Sequence, residues 1–316
     1  MLEPLTLERH QVWLYLAGIL GGLTLGTQFP GVGPVFDALL WPVLGVLLYS
    51  TFVQVPLLQL RHAFRDLPFI LALLLGNFVL IPLLAWGLVL LLPDDPALRL
   101  GVLLVLLVPC TDWFITFTQL GRDDIAVTPL NLLLQFLLLP MYLWLMLPSE
   151  QFSSVLSVED LAPAAIGLIG IPLALAAMSE RWMEAHPDRA VWRERLAWWP
   201  VPLLTIVVFL IAAAQVGVVR DAGPMLLSVL PIFVAFALAA ALIARVLMQL
   251  LALPLTSGRT LAFSLGTRNS FVVLPFALSL PAGWEATVVV IVLQTLVELF
   301  AMVFYLWWIP RCLFRG

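Results

Sequence analysis

The sequence predicts an all-α polytopic membrane protein, with ten transmembrane helices arranged as two inverted repeats of five. Hydrophobic residues make up 63% of its 316 residues and charged residues 11%. That composition leaves too little polar surface to cover a soluble globule. Ten apolar stretches are long enough to cross a bilayer as helices, and the alternating pattern of a membrane β-barrel is absent. A short sequence pattern also recurs between the two halves.

The ten predicted spans follow one another with mostly short connections. Each holds roughly 20 residues, enough for a helix to cross a hydrocarbon core of about 30 Å. The first ten residues carry acidic side chains and no small-residue cleavage site follows them, so we expect the first span to stay in the mature protein. The spans cover residues of about 11–29, 37–57, 69–92, 98–120, 125–147, 162–179, 197–219, 225–250, 259–280 and 286–308.

The basic residues predict the orientation of the spans. All fifteen are arginines, and only Arg99 and Arg220 fall in connections on one side, while Arg268 lies inside the ninth span. The positive-inside rule then places both termini in the cytoplasm, as an even number of spans requires. We expect the chain in the inner (plasma) membrane of the cell. The cytoplasmic arginines are Arg9, Arg61, Arg65, Arg122, Arg181, Arg189, Arg193, Arg195, Arg245, Arg259, Arg311 and Arg315.

Two segments carry local patterns that predict how they pack. Gly18, Gly22 and Gly26 recur every fourth residue of the first span and permit close helix approach, either in a dimer or within the monomer. The longest cytoplasmic connection, from Glu180 to Arg195, alternates charged residues with tryptophans. It predicts a short helix on the membrane surface that also links the two halves.

An internal repeat organises the chain. A Leu-Gln pair followed by Tyr-Leu-Trp occurs in both the fifth and the tenth spans, and setting Gln135 on Gln294 gives an offset of 159 residues. The same offset carries the second span onto the seventh, the third onto the eighth, and Cys110 onto Asn269. Because five is odd, the two halves must be inverted, which is an architecture of secondary transporters. The halves are residues 1–148 and 149–316.

Helix-breaking and polar residues interrupt the fourth and ninth spans at matching positions. Proline, glycine and small hydroxyl residues loosen a membrane helix and free its carbonyl groups, and such breaks are typical of transporter binding sites. We expect the two breaks to cross near the bilayer centre. The residues concerned are Pro109, Cys110, Thr111 and Asp112 in the fourth span, and Ser264, Gly266, Thr267, Arg268, Asn269, Ser270 and Pro275 in the ninth.

The crossing predicts an ion pair between Asp112 and Arg268. A lone charge at the centre of a membrane helix costs roughly 2.5–3.5 kcal/mol, and pairing relieves that cost. Such a pair is explained equally well by a structural lock and by a substrate site, and both interpretations stay open.

These residues resemble those of the arsenite efflux permeases in the bile acid/sodium symporter superfamily. The similarity lies in the run Pro109-Cys110-Thr111 followed by aromatic residues, in the break at Asn269 and in Leu296-Val297-Glu298. The resemblance implies a core domain of spans 3–5 and 8–10, with spans 4 and 9 unwound, and a panel domain of spans 1, 2, 6 and 7. It also implies that Cys110 stands where arsenite permeases keep the cysteine needed for transport, and a thiolate suits a soft trivalent metalloid.

The sequence also departs from that family pattern. Phe271 stands where arsenite permeases carry a glutamate, and Arg268 replaces the first of their paired asparagines. Sodium-coupled relatives use a glutamate and a glutamine as cation ligands where this chain has Ser264 and Arg268. A fixed guanidinium repels sodium, so the resemblance gives weak support to the usual sodium sites.

Two acidic residues within the spans, Asp112 and Glu298, are able to carry a coupling proton, and we prefer H⁺ to Na⁺ as the coupling ion. Glu298 lies one helical turn after Gln294 on the same face; a structural hydrogen bond to a neighbouring helix is the alternative role. Further polar residues are predicted to line the same cavity or to join helices by hydrogen bonds. They are Asn77, Thr128, Asn131, Gln135, Ser264 and Gln294.

The sequence thus predicts a secondary active transporter with alternating access, similar to arsenite and antimonite exporters, whose substrate-binding residues are Cys110, Thr111, Asp112, Arg268, Asn269 and Ser270. An organic-anion carrier that pairs Arg268 with a substrate carboxylate and a non-transporting membrane sensor or scaffold are the alternatives. No nucleotide loop, metal cluster or catalytic triad pattern is present, so an enzyme, a cofactor and a resident metal are not predicted. Nothing is basic enough for nucleic-acid binding, and the sequence leaves the oligomeric state open.

Overall fold

A computed structural model describes residues 4–29, 31, 33–55, 66–110, 128–147, 165–185, 187–221 and 223–315. The regular structure of these residues is helical. The α-helices are α1 Pro4–Gln28, α2 Gly33–Phe52, α3 Leu67–Leu75, α4 Ile81–Val89, α5 Pro96–Leu107, α6 Thr128–Met146, α7 Ile171–Glu184, α8 Val191–Leu196, α9 Pro200–Ala214, α10 Val216–Asp221, α11 Gly223–Leu250, α12 Leu255–Gly266, α13 Ser270–Leu278 and α14 Glu285–Trp308.

Several of these helices are long and apolar enough to cross a membrane. Within the described residues five segments qualify by length and composition, and Pro96–Leu107 and Leu137–Met146 are shorter apolar helices. The predicted class of a polytopic helical membrane protein is therefore confirmed. The count of ten spans and their inverted repeat stay predictions. The five long segments are Gly33–Phe52, Leu67–Val89, Val191–Ala214, Leu227–Leu250 and Glu285–Leu313.

Local sequence signals explain where two of the central helices begin. The Asp66 carboxylate accepts a hydrogen bond from the backbone N–H of Phe69 at the start of α3, at 3.1 Å. The Asp95 carboxylate accepts one from Leu98 at the start of α5, at 2.9 Å, and Pro96 occupies the first position of that helix. Both aspartates satisfy N–H groups that a helix start otherwise leaves unpaired.

The third span is interrupted without being broken. Between α3 and α4 the chain makes one π-helical turn, Gly76–Leu80, and the helix then continues. Such turns are rare and are common at functional sites. The turn holds Asn77, which is fully buried.

The connection from Glu180 to Arg195 differs from the single surface helix that its charges predict. Helix α7 continues to Glu184, a 3₁₀ turn Pro187–Ala190 follows, and α8 is a separate short helix. Proline cannot donate a backbone hydrogen bond and restricts the residue before it, so Pro187 separates the two helices. The Glu180 side chain is buried and lies 3.8 Å from the Arg193 guanidinium.

The glycines of the first span pack against another helix of the same chain. A Cβ added at Gly18, Gly22 or Gly26 would lie 3.0, 2.3 or 2.3 Å from a backbone carbonyl oxygen of α9. Small residues at this spacing let two membrane helices approach closely. Of the two alternatives that the sequence leaves open, the structure shows packing within the monomer.

Two sets of helices have extensive internal contacts. Helix α9 packs against α1 and α2, and α2 also packs against α7. Separately, α11 packs against α12 and α14, and α14 packs against α5 and α13. The first set belongs to the predicted panel domain and the second set to the predicted core domain. The division into these two domains stays a prediction.

Replacing Gly22 by alanine is expected to lower the thermal stability. The new methyl group would lie 2.3 Å from the carbonyl oxygen of Phe209, and overpacking of this kind typically costs about 1–3 kcal/mol. Gly21→Ala is the matched control, because its Cβ would meet nothing closer than the Phe209 ring at 3.5 Å. The unfolding midpoint of purified protein in detergent, followed by tryptophan fluorescence, should fall for Gly22→Ala and hold or rise for Gly21→Ala. Equal midpoints would show that α1 and α9 are not in close contact.

Candidate functional site at the crossing of two interrupted helices

The fourth and ninth spans both lose helical structure where the sequence predicts it. Helix α5 ends at Leu107, and Val108 is extended, with φ −107° and ψ 106°. The proline at 109 favours this, because steric clash with a proline disfavours the helical region for the residue before it. Helix α12 ends at Gly266, and Thr267 is extended, with φ −106° and ψ 144°. The chain becomes helical again at Ser270, where the Asn269 side chain caps α13.

The two breaks lie side by side and run antiparallel. The N–H of Cys110 donates to the carbonyl of Thr267 at 3.2 Å, and the N–H of Asn269 donates to the carbonyl of Val108 at 2.9 Å. Pro109 and Arg268 stand opposite each other at the centre of this short pairing. An extended backbone within a bilayer must have its polar groups satisfied by protein, and each break here does this for the other.

The pairing also bears on the repeat. Pro109 and Arg268 are 159 residues apart, the same offset that aligns Gln135 with Gln294. Two inverted halves related by a two-fold axis place equivalent residues opposite each other where they cross. The backbone of the crossing therefore has the local symmetry that the predicted repeat requires.

The Arg268 side chain turns back over the ends of both broken helices. Its guanidinium is 2% exposed. Nη1 donates to the carbonyl of Leu106 at the end of α5, at 3.2 Å. Nη2 lies 3.0 Å from the carbonyl of Ser264 and 2.7 Å from that of Leu265 at the end of α12, and 3.1 Å from Oδ1 of Asn77. One side chain thus caps the carboxyl ends of two half-helices and joins them to the third span.

The negative ends of two helices face the positive charge of Arg268. Each helix carboxyl end carries the equivalent of about half a negative charge, and the ends of α5 and α12 both face one guanidinium. The Glu298 carboxylate also lies close by, since it accepts the backbone N–H of the same arginine. The ring of Phe236 lies beneath the guanidinium, with the guanidinium carbon 5.4 Å from the ring centre, which favours a cation.

A chain of hydrogen bonds connects the second break to α14. The Ser270 hydroxyl donates to Oε1 of Gln294 at 2.7 Å, and Nε2 of Gln294 donates to Oε2 of Glu298 at 2.6 Å. The same carboxylate oxygen accepts the backbone N–H of Arg268 at 2.9 Å. Glu298 is 8% exposed. The carboxylate therefore bonds directly to the backbone of the break and contacts Ser270 through Gln294.

Most of the predicted site residues that the structure describes surround the crossing. Thr111 and Asp112 lie outside the described residues, as does the side chain of Thr128, so the ion pair between Asp112 and Arg268 stays a prediction. Asn131 and Gln135 are buried on α6, and the side chain of neither forms a hydrogen bond within the described part of the chain. The residues at or next to the crossing are Asn77, Cys110, Ser264, Arg268, Asn269, Ser270, Gln294 and Glu298.

Two contributions to the site were not predicted from the sequence. The carbonyl oxygens of Leu106 and Leu265 bind the guanidinium, and a backbone acceptor leaves no signal in the side-chain pattern. Tyr305 packs its ring against Gly266, where a Cβ would lie 2.4 Å from it, and its hydroxyl donates to the carbonyl of Ala237. In the sequence, Gly266 immediately before the break is the residue that indicates a close contact at this point.

Interrupted helices that cross within a membrane form the kind of site that secondary transporters use. Comparison with known families agrees with this class: the model of the Sodium Bile acid symporter family matches residues 41–222. The match covers more than half of the chain, which therefore belongs to the sodium bile acid symporter family and is a membrane transporter of that superfamily. It includes the break at Val108–Cys110 and ends before the break at Thr267–Asn269. No curated protein matches the chain significantly.

Replacing Asn77 by leucine is expected to destabilise the protein by about 1–3 kcal/mol, because the buried guanidinium and the Ser264 hydroxyl each lose a partner. Asn131→Leu is the matched control: that asparagine is equally buried, but neither of its amide atoms is hydrogen-bonded within the described residues. Its replacement should be neutral or stabilising. The free energy of unfolding, measured by denaturant titration in detergent micelles, checks both variants. A neutral Asn77→Leu would contradict the role given to this amide.

Proposed function

We propose that the chain is a proton-coupled secondary transporter that exports a small trivalent metalloid, of the arsenite or antimonite type, by alternating access. The observation that carries the proposal is the position of Cys110, which is hydrogen-bonded through its backbone N–H to the second break at the crossing. In the resemblance to arsenite permeases this cysteine is the residue needed for transport. The protein is expected in the plasma membrane with both termini in the cytoplasm.

The chemistry of a thiol suits such a substrate. A trivalent arsenic or antimony hydroxide is neutral and soft, and the sulfur of Cys110 can replace one of its hydroxyl groups, with the thiol proton leaving in the released water. The reaction is reversible, as transport requires. Cys110 is 5% exposed, so the proposed cycle includes an opening that admits the solute.

Glu298 is the proposed site of proton coupling. Its carboxylate accepts hydrogen bonds from the N–H of Arg268 and from Gln294. A protonated carboxyl group is a weaker acceptor than a carboxylate, so proton binding weakens the bond that holds the second break. Proton uptake and rearrangement of the crossing are thereby linked. Asp112 remains a second proposed carrier of the proton.

The proposed movement is a rocking of the panel helices against the core helices. Helices α1, α2, α7 and α9 pack on one another, and α5, α11, α12, α13 and α14 form the surroundings of the crossing. These contacts support two bodies that each move as a unit. Rigid-body rocking around a fixed midplane site is a common form of alternating access in inverted-repeat transporters.

An organic-anion carrier is the second candidate, and the family match favours it, since the family is named for bile acids. In the simplest version of this proposal, the carboxylate of the substrate would pair with Arg268. The guanidinium is already hydrogen-bonded to three carbonyls and one amide oxygen. Its buried Nε has no hydrogen-bond partner among the described residues and is a donor that remains for a substrate carboxylate. The positive amino end of α13, next to the crossing, is a second group that favours an anion.

Cys110→Ser is expected to lower arsenite transport by about tenfold or more, because a hydroxyl oxygen is a poor ligand for a soft metalloid. Uptake of arsenite into inverted vesicles, with antimonite and a bile acid tested in parallel, measures the effect. Cys312→Ser is the matched control, since it removes the other cysteine, which lies at the end of the chain away from the crossing. Full arsenite flux in Cys110→Ser would exclude the metalloid role of that residue, and bile acid flux with no arsenite flux would favour the second candidate.

Glu298→Gln is expected to abolish the stimulation of transport by a proton gradient while the protein stays folded. Glutamine has the same shape and can still accept the N–H of Arg268, but it cannot exchange a proton. In proteoliposomes with an acidic interior, uptake by the natural protein should exceed uptake without a gradient, and the variant should show equal rates. The control is Glu285→Gln at the start of α14, where the Glu285 carboxylate accepts the N–H of Gly283. Retained stimulation in Glu298→Gln would contradict coupling at this residue.

A further inference from the structure

The guanidinium of Arg268 is held by the groups that transporters use to bind a free cation. Its acceptors are the carbonyls of Leu106, Ser264 and Leu265 and the amide oxygen of Asn77. Carbonyl groups at the carboxyl ends of interrupted helices are typical ligands of Na⁺ in transporters. The four oxygens come from three separate spans, so whichever cation they bind ties those spans together.

We propose that Arg268 is a tethered cation that permanently fills a monovalent-cation site between the two half-helices, so that this transporter neither binds nor requires Na⁺ there. The carbonyl at the end of α5 and those at the end of α12 face inward to the same guanidinium, which neutralises both helix ends. A sodium ion would compete for oxygens that already accept hydrogen bonds and would lie beside a fixed positive charge. Both effects exclude it.

An arginine makes the site permanent in a way that a free ion does not. The guanidinium keeps its proton under all physiological conditions, whereas a bound Na⁺ leaves. Its covalent link to the second break means that the positive charge cannot dissociate during a transport cycle. The fixed charge therefore holds the spans together as a bound cation would, but it cannot couple transport to a cation gradient.

This inference concerns the coupling ion of the proposed transporter and rests on that function for its meaning in transport. Its test requires neither flux nor an organic or metalloid solute. The experiment could therefore show sodium binding in a protein that does transport arsenite. It could also show no sodium binding in a protein that does not transport arsenite. The two proposals are separated by experiment.

The test is the unfolding midpoint of detergent-solubilised protein in NaCl and in choline chloride at equal ionic strength. The natural protein should have the same midpoint in both salts, as should Arg268→Lys, which keeps a cation in the site. Arg268→Gln removes the charge and leaves the oxygens, so it should gain a sodium-specific rise of roughly 2–4 °C. Arg245→Gln is the control, because Arg245 also donates to a backbone carbonyl, that of Leu313, away from the crossing.

Each result decides the matter. A sodium-specific rise in the natural protein overturns the proposal, and so does a folded Arg268→Gln that responds equally to both salts. If Arg268→Gln does not fold, the natural protein and Arg268→Lys decide together. A sodium-specific shift in either one overturns the proposal, and equal midpoints in both salts for both proteins support it.

Discussion

The crossing depends on one buried guanidinium, that of Arg268. Two helices that end in the middle of a membrane expose carbonyl groups and partial negative charge, which hydrocarbon cannot solvate. Arg268 contacts both ends at once, through Leu106 on one side and through Ser264 and Leu265 on the other. The cost of a buried charge and the cost of two uncapped helix ends are offset by the same contact.

The polar groups around that contact form a connected network. Asn77 links the guanidinium to the Ser264 hydroxyl, and Glu298 holds the backbone N–H of the same arginine. Gln294 extends the network to Ser270. In a medium of low dielectric constant each bond strengthens its neighbours, and each lost bond leaves a costly unpaired group. A change at Glu298 therefore reaches the backbone of the break directly, and the proposed coupling of a proton to movement depends on this contact.

Local features of the site could be predicted from the sequence, whereas partners from distant parts of the chain could not. Pro109 imposes its own break, because its effect on the preceding residue is steric, and the spacing of Gly18, Gly22 and Gly26 indicates a close helix contact. For the charged connection after Glu180, the composition predicts one helix. The structure has two, because Pro187 interrupts the helical backbone between them. For Arg268 the sequence suggested Asp112 as the partner. Its described partners are backbone carbonyls and the amide of Asn77 from another span. Every residue has a backbone carbonyl, so the sequence does not indicate which carbonyls bind the guanidinium.

The same contacts limit how this protein can move. Hydrogen bonds to a charged group are each worth about 1.5–3 kcal/mol, and separating α5 from α12 would break the bond to Leu106 together with the backbone pairing around Pro109. Conformations that interconvert during function differ by only a few kcal/mol. We therefore expect α5 and α12 to move as one unit, and the proposed rearrangement at the second break to change the position of the helices around them. The backbone of the crossing is nearly symmetric, but among the described residues its fixed positive charge, that of Arg268, belongs to the second half, so the crossing is not symmetric in charge.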